Sequence, residues 1–200
     1  MKKLILLAIL FLVSVLSMNA QEHPKKGAIK TFDGFLLYDN NEKESYTIEL
    51  RGEVNLEHSP YIQINGNMFQ FLTYEKSFFS SSNTNSLTNF INWEHQYLEK
   101  DVFKKKMPIQ LDYLKHQQID MVFWYFKMPI NPEIKNPVLK TYYLNFIHNQ
   151  TLFSLTNSSV TGNDKEAKAF LLGIYSKIKF YDQAINVEDL RKEIINKKDV

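Results

Sequence analysis

The 200-residue sequence contains no cysteine and only six glycines and six prolines. The lack of cysteine excludes disulfide bonds, thiol catalysis and cysteine-ligated metal centres. The scarcity of glycine and proline, beside 15 phenylalanines and 11 tyrosines, argues against a disordered chain and for a well-packed aromatic core. Stability must therefore come from packing and not from covalent cross-links.

The motifs of the common catalytic classes are also missing. The sequence has no Gly-x-Ser-x-Gly nucleophile elbow, no His-Glu-x-x-His zinc motif and no glycine-rich phosphate-binding loop. It therefore predicts no cofactor and no metal ion, and it favours a non-catalytic protein over an enzyme.

Residues 1–20 have the three zones of a cleavable secretory signal peptide. Lys2 and Lys3 form a positive head, residues 4–16 form an apolar run, and a small polar tail ends at Ala20. The run is shorter than the roughly 20 apolar residues that span a bilayer. We therefore predict export to the periplasm or the medium, cleavage after Ala20, and no stable membrane span afterwards.

Removal of the signal lowers the formal net charge from +2 to zero. A neutral chain lacks the positive field of a nucleic-acid-binding protein, so another envelope protein is the expected partner. The richness in Lys, Asn, Ile, Phe and Tyr is typical of bacteria with A/T-rich genomes. The remaining length suits one domain, which we place at 29–200 after a flexible leader at 21–28.

Apolar residues that alternate along the chain predict β-strands. A first strand is expected at 29–38, interrupted by Asp33-Gly34, and Tyr46, Ile48 and Leu50 form one buried face of another. The Asn-Gly pair at 65–66 lies between two β-prone runs and predicts a hairpin.

A period of 3.6 residues predicts helices in two places. The first helix covers about 87–104, with Ser86 as its N-cap. The second contains the stripe of Ala167, Phe170, Leu171, Ile174, Tyr175 and Ile178. A short terminal helix is expected at 187–195.

This order of strands, helix, strands and helix predicts an α+β fold with a mostly antiparallel sheet. The strand at 121–128, the hairpin at 138–155 and the helix at 167–180 resemble, in their order, the α/β/α sandwich of PsbP-like proteins. The resemblance covers about two-thirds of the chain and implies a non-catalytic accessory factor. A cystatin-like or NTF2-like sheet wrapped on helices is the alternative fold.

Three polar side chains on the first helix are candidates for chemistry. Glu94 lies inside the apolar stripe, where a carboxylate needs a partner or has a raised pKa. We favour a structural tie to a strand, with the general acid of an envelope-polymer hydrolase as the alternative. His95 and Glu99 lie one turn apart and can share a metal, but a solvated helix surface is the simpler interpretation.

Phe78 and Phe79 are the candidate binding residues, because they lie in a Ser/Asn-rich segment that does not need aromatic rings for its own conformation. The alternative is that the rings fold back onto Phe90 or Trp93 and cover the core. The sequence thus predicts an exported binding or accessory protein of the cell envelope. A partner-inhibiting module is a further alternative.

Overall fold

The structure, a computed structural model, describes residues 25–41, 44–57, 61–81, 84–116, 118–130 and 133–196. The predicted signal peptide and the start of the predicted leader lie outside these residues. The described residues form two sheets in which all neighbouring strands are antiparallel, together with three α-helices. The predicted α+β class is confirmed.

The smaller sheet has four strands in the order β1-β2-β3-β11. The strand predicted at 29–38 is a hairpin of two strands, and the interruption predicted at Asp33-Gly34 lies at its tight turn, where Thr31 pairs with Gly34. Gly34 has φ +138°, and a Cβ there would lie 2.0 Å from the Leu50 carbonyl oxygen, so the turn requires glycine. The first strand begins inside the predicted flexible leader. The strands are β1 (Lys26–Thr31), β2 (Gly34–Asn40), β3 (Ser45–Arg51) and β11 (Ile178–Tyr181).

The larger sheet has seven strands in the order β4-β5-β6-β10-β9-β8-β7. Asn65 and Gly66 have φ of 48° and 81°, so the predicted Asn-Gly hairpin is confirmed. The strands are β4 (Val54–Asn55), β5 (Ile62–Ile64), β6 (Asn67–Glu75), β7 (Ile109–His116), β8 (Ile119–Lys127), β9 (Lys140–His148) and β10 (Thr151–Ser159).

The helices are α1 (Ser86–Tyr97), α2 (Asp164–Tyr175) and α3 (Val187–Asn196). The N-cap of α1 is Asn85 and not Ser86, because the Asn85 side chain accepts the Leu87 N–H at 2.8 Å. The chain then passes through a π turn at Leu98–Val102, so the regular helix is shorter than predicted.

Helix α2 also ends earlier than predicted. Ile178, which we assigned to the helical stripe, begins β11 and pairs with Ile48 of β3. The pairing explains the difference, since Ile178 and Phe180 have the two-residue spacing of a strand and β3 offers a free edge.

The two sheets pack face to face and share a core with α2, in which Leu50, Phe153 and Leu171 are fully buried. The opposite face of the larger sheet packs against α1, where Phe90 and Trp124 are fully buried. Helix α3 covers the outer side of the smaller sheet at Tyr38. The larger sheet is therefore covered on both faces.

Candidate functional site

Helix α1 lies on the central strands of the larger sheet. Beneath it the Trp124 indole stacks on the Tyr143 ring at 4.1 Å and 9°. The indole N–H donates to the Asn145 side-chain oxygen at 2.5 Å. Leu87, Phe90 and Ile91 of α1 pack in the same cluster as Trp124 and Tyr143, so this side of the helix lies on the sheet.

The two candidate phenylalanines have different environments, although they are neighbours in one 3₁₀ turn at Lys76–Phe79. Phe79 packs against Phe90 at 5.1 Å and against Trp93 at 5.6 Å. Phe78 is 76% exposed. One ring therefore covers the core, and the other faces solvent.

Two further aromatic side chains lie on the exposed flank of α1. Trp93 and Tyr97 are 39% and 47% exposed, and their rings are nearly parallel, with centroids 6.3 Å apart. We call Phe78, Trp93 and Tyr97 the aromatic surface. Sequence reasoning did not select Trp93 and Tyr97 as site residues. Their spacing of four residues on one flank of the apolar stripe was the available signal.

Tyr74 and Phe79 support the aromatic surface from behind. The Tyr74 ring lies 5.0 Å from Phe90 and 6.2 Å from Trp93. The Asn89 side chain donates to the Phe79 carbonyl oxygen at 2.7 Å. Aromatic packing and this hydrogen bond fix the 3₁₀ turn against α1.

Glu94 lies half-buried on α1, inside the apolar stripe as predicted. Desolvation by burial raises the pKa of its carboxyl to about 7. Within the described part of the chain no hydrogen bond or ion pair to this carboxyl is found, and burial is the cause of its raised pKa, so the structural tie favoured from the sequence stays a prediction. The negative charge of Glu94 adds to burial in raising the pKa of the Tyr74 and Tyr143 hydroxyls. A carboxyl that holds a proton near neutrality can act as a general acid.

His95 and Glu99 are engaged with the chain backbone. His95 Nε2 lies 2.6 Å from the Met107 carbonyl oxygen, and Glu99 Oε1 accepts the Met107 N–H at 2.6 Å. The two side chains are 3.3 Å apart. They hold the segment before β7 against α1, and no group of three potential metal-ligating side chains occurs in the described ranges.

A polar cluster at the start of α2 was not predicted from the sequence. Asp164 accepts hydrogen bonds from Lys140 at 2.5 Å and from the Tyr125 and Tyr142 hydroxyls at 2.7 Å each. Desolvation opposes ionisation of this carboxyl, but the three donors hold the pKa of Asp164 below its usual range. The cluster fixes the first turn of α2 to the larger sheet.

A buried carboxylate also links the two sheets. Glu44, which precedes β3, hydrogen-bonds to the His148 imidazole and accepts the Asn149 side-chain amide at 3.1 Å. The His148 ring stacks on Phe180 of β11 at 3.7 Å. These contacts fix the β9–β10 turn to the smaller sheet.

Together the fold and the site define an α+β protein of two antiparallel sheets that carries an exposed aromatic surface on one helix. No protein-family model and no curated protein matches the sequence. Among solved structures, the chain is similar to the solution structure of cyanobacterial PsbP (CyanoP) from Synechocystis sp. PCC 6803. The identity is 9%, the match covers 84% of this chain and 99% of that chain, and the TM-score is 0.41. The weak PsbP-like resemblance is confirmed at this level, and it assigns no residue a role.

None of the helices in the described residues has the length and apolar character needed to cross a membrane.

Proposed function

We propose that this protein is an exported binding or accessory protein of the cell envelope that captures another protein through its aromatic surface. The observation that carries the proposal is the contrast within the 3₁₀ turn, where Phe79 is packed and Phe78 is 76% exposed. Phe78 is exposed in the turn whose Phe79 packs on Trp93, and Trp93 stacks on the exposed Tyr97. Exposed large rings are unfavourable in water and typical of interaction sites.

The aromatic surface is suited to binding because it is already ordered. Ser80 Oγ donates to the Lys76 carbonyl oxygen at 3.1 Å, and Ser77 donates to the Glu75 carboxylate at 2.6 Å. These bonds and the packing of Phe79 fix the backbone that presents Phe78. A preordered surface loses less conformational entropy when a partner binds.

The cellular location is supported by the sequence. Residues 1–20 have the zones of a signal peptide, so the partner is expected in the periplasm or outside the cell. The neutral charge after cleavage and the absence of catalytic motifs favour a binding role without nucleic acid.

The test compares five single variants with the wild type in pull-downs from envelope extract: Phe78→Ser, Trp93→Ser, Tyr97→Ser, Phe79→Ser and Phe32→Ser. Phe78→Ser should reduce capture of a specific partner and leave the thermal midpoint nearly unchanged, because the ring has few contacts to lose. Phe79→Ser should lower the midpoint by several degrees, since it removes aromatic contacts with Phe90 and Trp93. Phe32→Ser is the matched control, because Phe32 is exposed in the β1–β2 turn, away from α1.

Equal loss of capture in Phe32→Ser and Phe78→Ser would show that capture depends on general surface hydrophobicity. Unchanged capture in Phe78→Ser, Trp93→Ser and Tyr97→Ser would remove the aromatic surface from the binding function.

Glu94 supports a second candidate function, that of an envelope-polymer hydrolase. The supporting observation is its pKa of about 7, which suits a general acid. Glycoside hydrolysis uses two carboxyl groups, and burial is the cause of the Glu94 shift, with no neighbouring carboxylate contributing. Hydrolysis of purified envelope polymer that is lost in Glu94→Gln would favour this function over the binding role.

A further inference from the structure

The larger sheet has a long free edge at β7. Strand β7 pairs with β8 without a bulge from Ile109 to His116, and it is the last strand in the sheet order. On its outer side, no described residue hydrogen-bonds to the β7 backbone. Alternate N–H and C=O groups of an edge strand point away from its neighbour, and they are available to another strand.

The other edges formed by described strands are less suitable for pairing. Strand β4 has two residues and β11 has four. Strand β1 carries Lys26 and Lys30, and lysine on an edge opposes strand addition. The β7 edge is longer, at eight residues, and has a single lysine, Lys115, near its C-terminal end, with Leu111 and Tyr113 before it.

Two apolar side chains of β7 are exposed on the same face. Leu111 and Tyr113 are 45% and 68% exposed. They are the cross-strand partners of Trp124 and Val122, which are buried beneath α1. Leu111 and Tyr113 therefore extend the apolar surface of the sheet beyond the helix, where a further strand would cover them.

A positive charge cluster lies at the beginning of this edge. Lys104, Lys105 and Lys106 precede β7 and are all exposed. None of them forms an ion pair with a residue in the described ranges. The edge thus presents Leu111 and Tyr113 on one face, with the three lysines before its N-terminal end, and Asp112 on the other face is paired with Lys168.

We propose that β7 binds an extended segment of a partner protein that pairs antiparallel to it and carries acidic residues at its own C-terminal end. An antiparallel segment ends where β7 begins, so its acidic residues would lie beside the three lysines. Its alternate apolar side chains would cover Leu111 and Tyr113, and its backbone would complete the hydrogen bonds of the edge.

This site does not depend on the aromatic surface, because it uses a different strand and different side chains. Substitution of Phe78 tests the aromatic surface alone, and the substitutions below test β7 alone. Failure of either proposal therefore leaves the other standing.

The test uses two synthetic peptides capped at both ends. The first is Thr-Val-Thr-Val-Thr-Val-Asp-Asp-Asp, and the second has the acidic block moved to the N-terminus. At low salt the first should bind about tenfold more tightly, as expected for three exposed ion pairs in one orientation. Bound peptide should protect alternate β7 amides from hydrogen exchange.

Two variants sharpen the test. Lys104→Glu/Lys105→Glu/Lys106→Glu should abolish or reverse the preference between the peptides, whereas the exposed set Lys30→Glu/Lys177→Glu/Lys179→Glu has the same charge change and should keep the preference. Tyr113→Lys should weaken binding of both peptides without unfolding the protein, since it places a charge on the exposed edge.

Equal affinity for the two peptides, or protection of amides outside β7, would overturn the proposal. Vesicles containing about one-third phosphatidylglycerol provide the other arm. Binding to these vesicles through the lysines, with no peptide binding, would show that the positive cluster serves a membrane surface and would also overturn it.

Discussion

Replacement of Glu94 by glutamine should stabilise the protein at pH 8 and change its stability little at pH 4. Burial raises the pKa of the Glu94 carboxyl from 4.5 to about 7 in the folded chain. Between these two values the unfolded chain loses the Glu94 proton while the folded chain keeps it. The free energy of unfolding therefore falls as the pH rises from about 4.5 to about 7, and it stays lower above pH 7.

The size of the effect follows from the difference between the two pKa values. A shift of about 2.5 pH units corresponds to about 3 kcal/mol. Glu94 is half-buried, so solvent screening reduces the expected value to about 1–2 kcal/mol. Glutamine has nearly the same shape and cannot ionise, and Glu94→Gln therefore removes this penalty at pH 8.

The measurement is urea unfolding followed by circular dichroism at pH 4 and pH 8, with equal m-values in the wild type and the variant. The exposed Glu53→Gln is the control for loss of a surface carboxylate. A gain below about 0.5 kcal/mol at pH 8, or an equal change at both pH values, would refute the burial argument for Glu94.

Three further predictions test the packing, each by urea unfolding of substituted chains. Leu171→Ala should cost about 3–5 kcal/mol, because this side chain is fully buried; a loss below about 1 kcal/mol would place the core elsewhere. Gly52→Ala should cost more than about 1 kcal/mol, since φ is +96° and a Cβ would lie 2.3 Å from a side-chain oxygen. Gly66→Ala, at φ +81° with open space around it, should cost less, and the reverse order would contradict the clash. Asn145→Leu should cost about 1–3 kcal/mol, because it leaves the buried Trp124 N–H unpaired. Additive effects in the double variant with Trp124→Phe would argue against this hydrogen bond.

The sequence predicted the elements whose signal is local. Tyr46, Ile48 and Leu50 are all buried on one face of β3, because alternation follows from the geometry of a strand. The N-cap of α1 was predicted one residue late, at Ser86 instead of Asn85, because neighbouring Asn and Ser side chains can both cap a helix.

The sequence did not predict features that depend on distant partners. Ile178 fits the helical stripe and also a strand, and β3 decides between them by offering an edge. Phe78 and Phe79 are equivalent in the sequence, and only the position of Phe90 and Trp93 separates a packed ring from an exposed one. The sequence placed Glu94 correctly inside the apolar stripe. Whether its carboxyl has a partner depends on the strands that face the helix, and the sequence alone does not position these strands.

Both faces of the larger sheet carry buried polar side chains, and those toward α1 bear on both proposed roles of the helix. The face toward the smaller sheet is mostly aromatic and aliphatic and also buries Thr151 and Asn157. On the face toward α1, the strand register places four buried polar side chains on the same side of the sheet as Trp124 and Tyr143. They are Thr141, Asn145, Ser154 and Thr156.

Buried polar groups stabilise a packed layer less than apolar groups do, unless every donor and acceptor is paired. The Asn145 side-chain nitrogen has no partner in the described residues, and Glu94 adds a carboxyl without a hydrogen bond on the same side. Trp93 and Tyr97 lie on the same helix as Glu94, and Phe79 fixes the turn of Phe78 against Trp93. Ionisation of Glu94 therefore destabilises the layer that presents the aromatic surface.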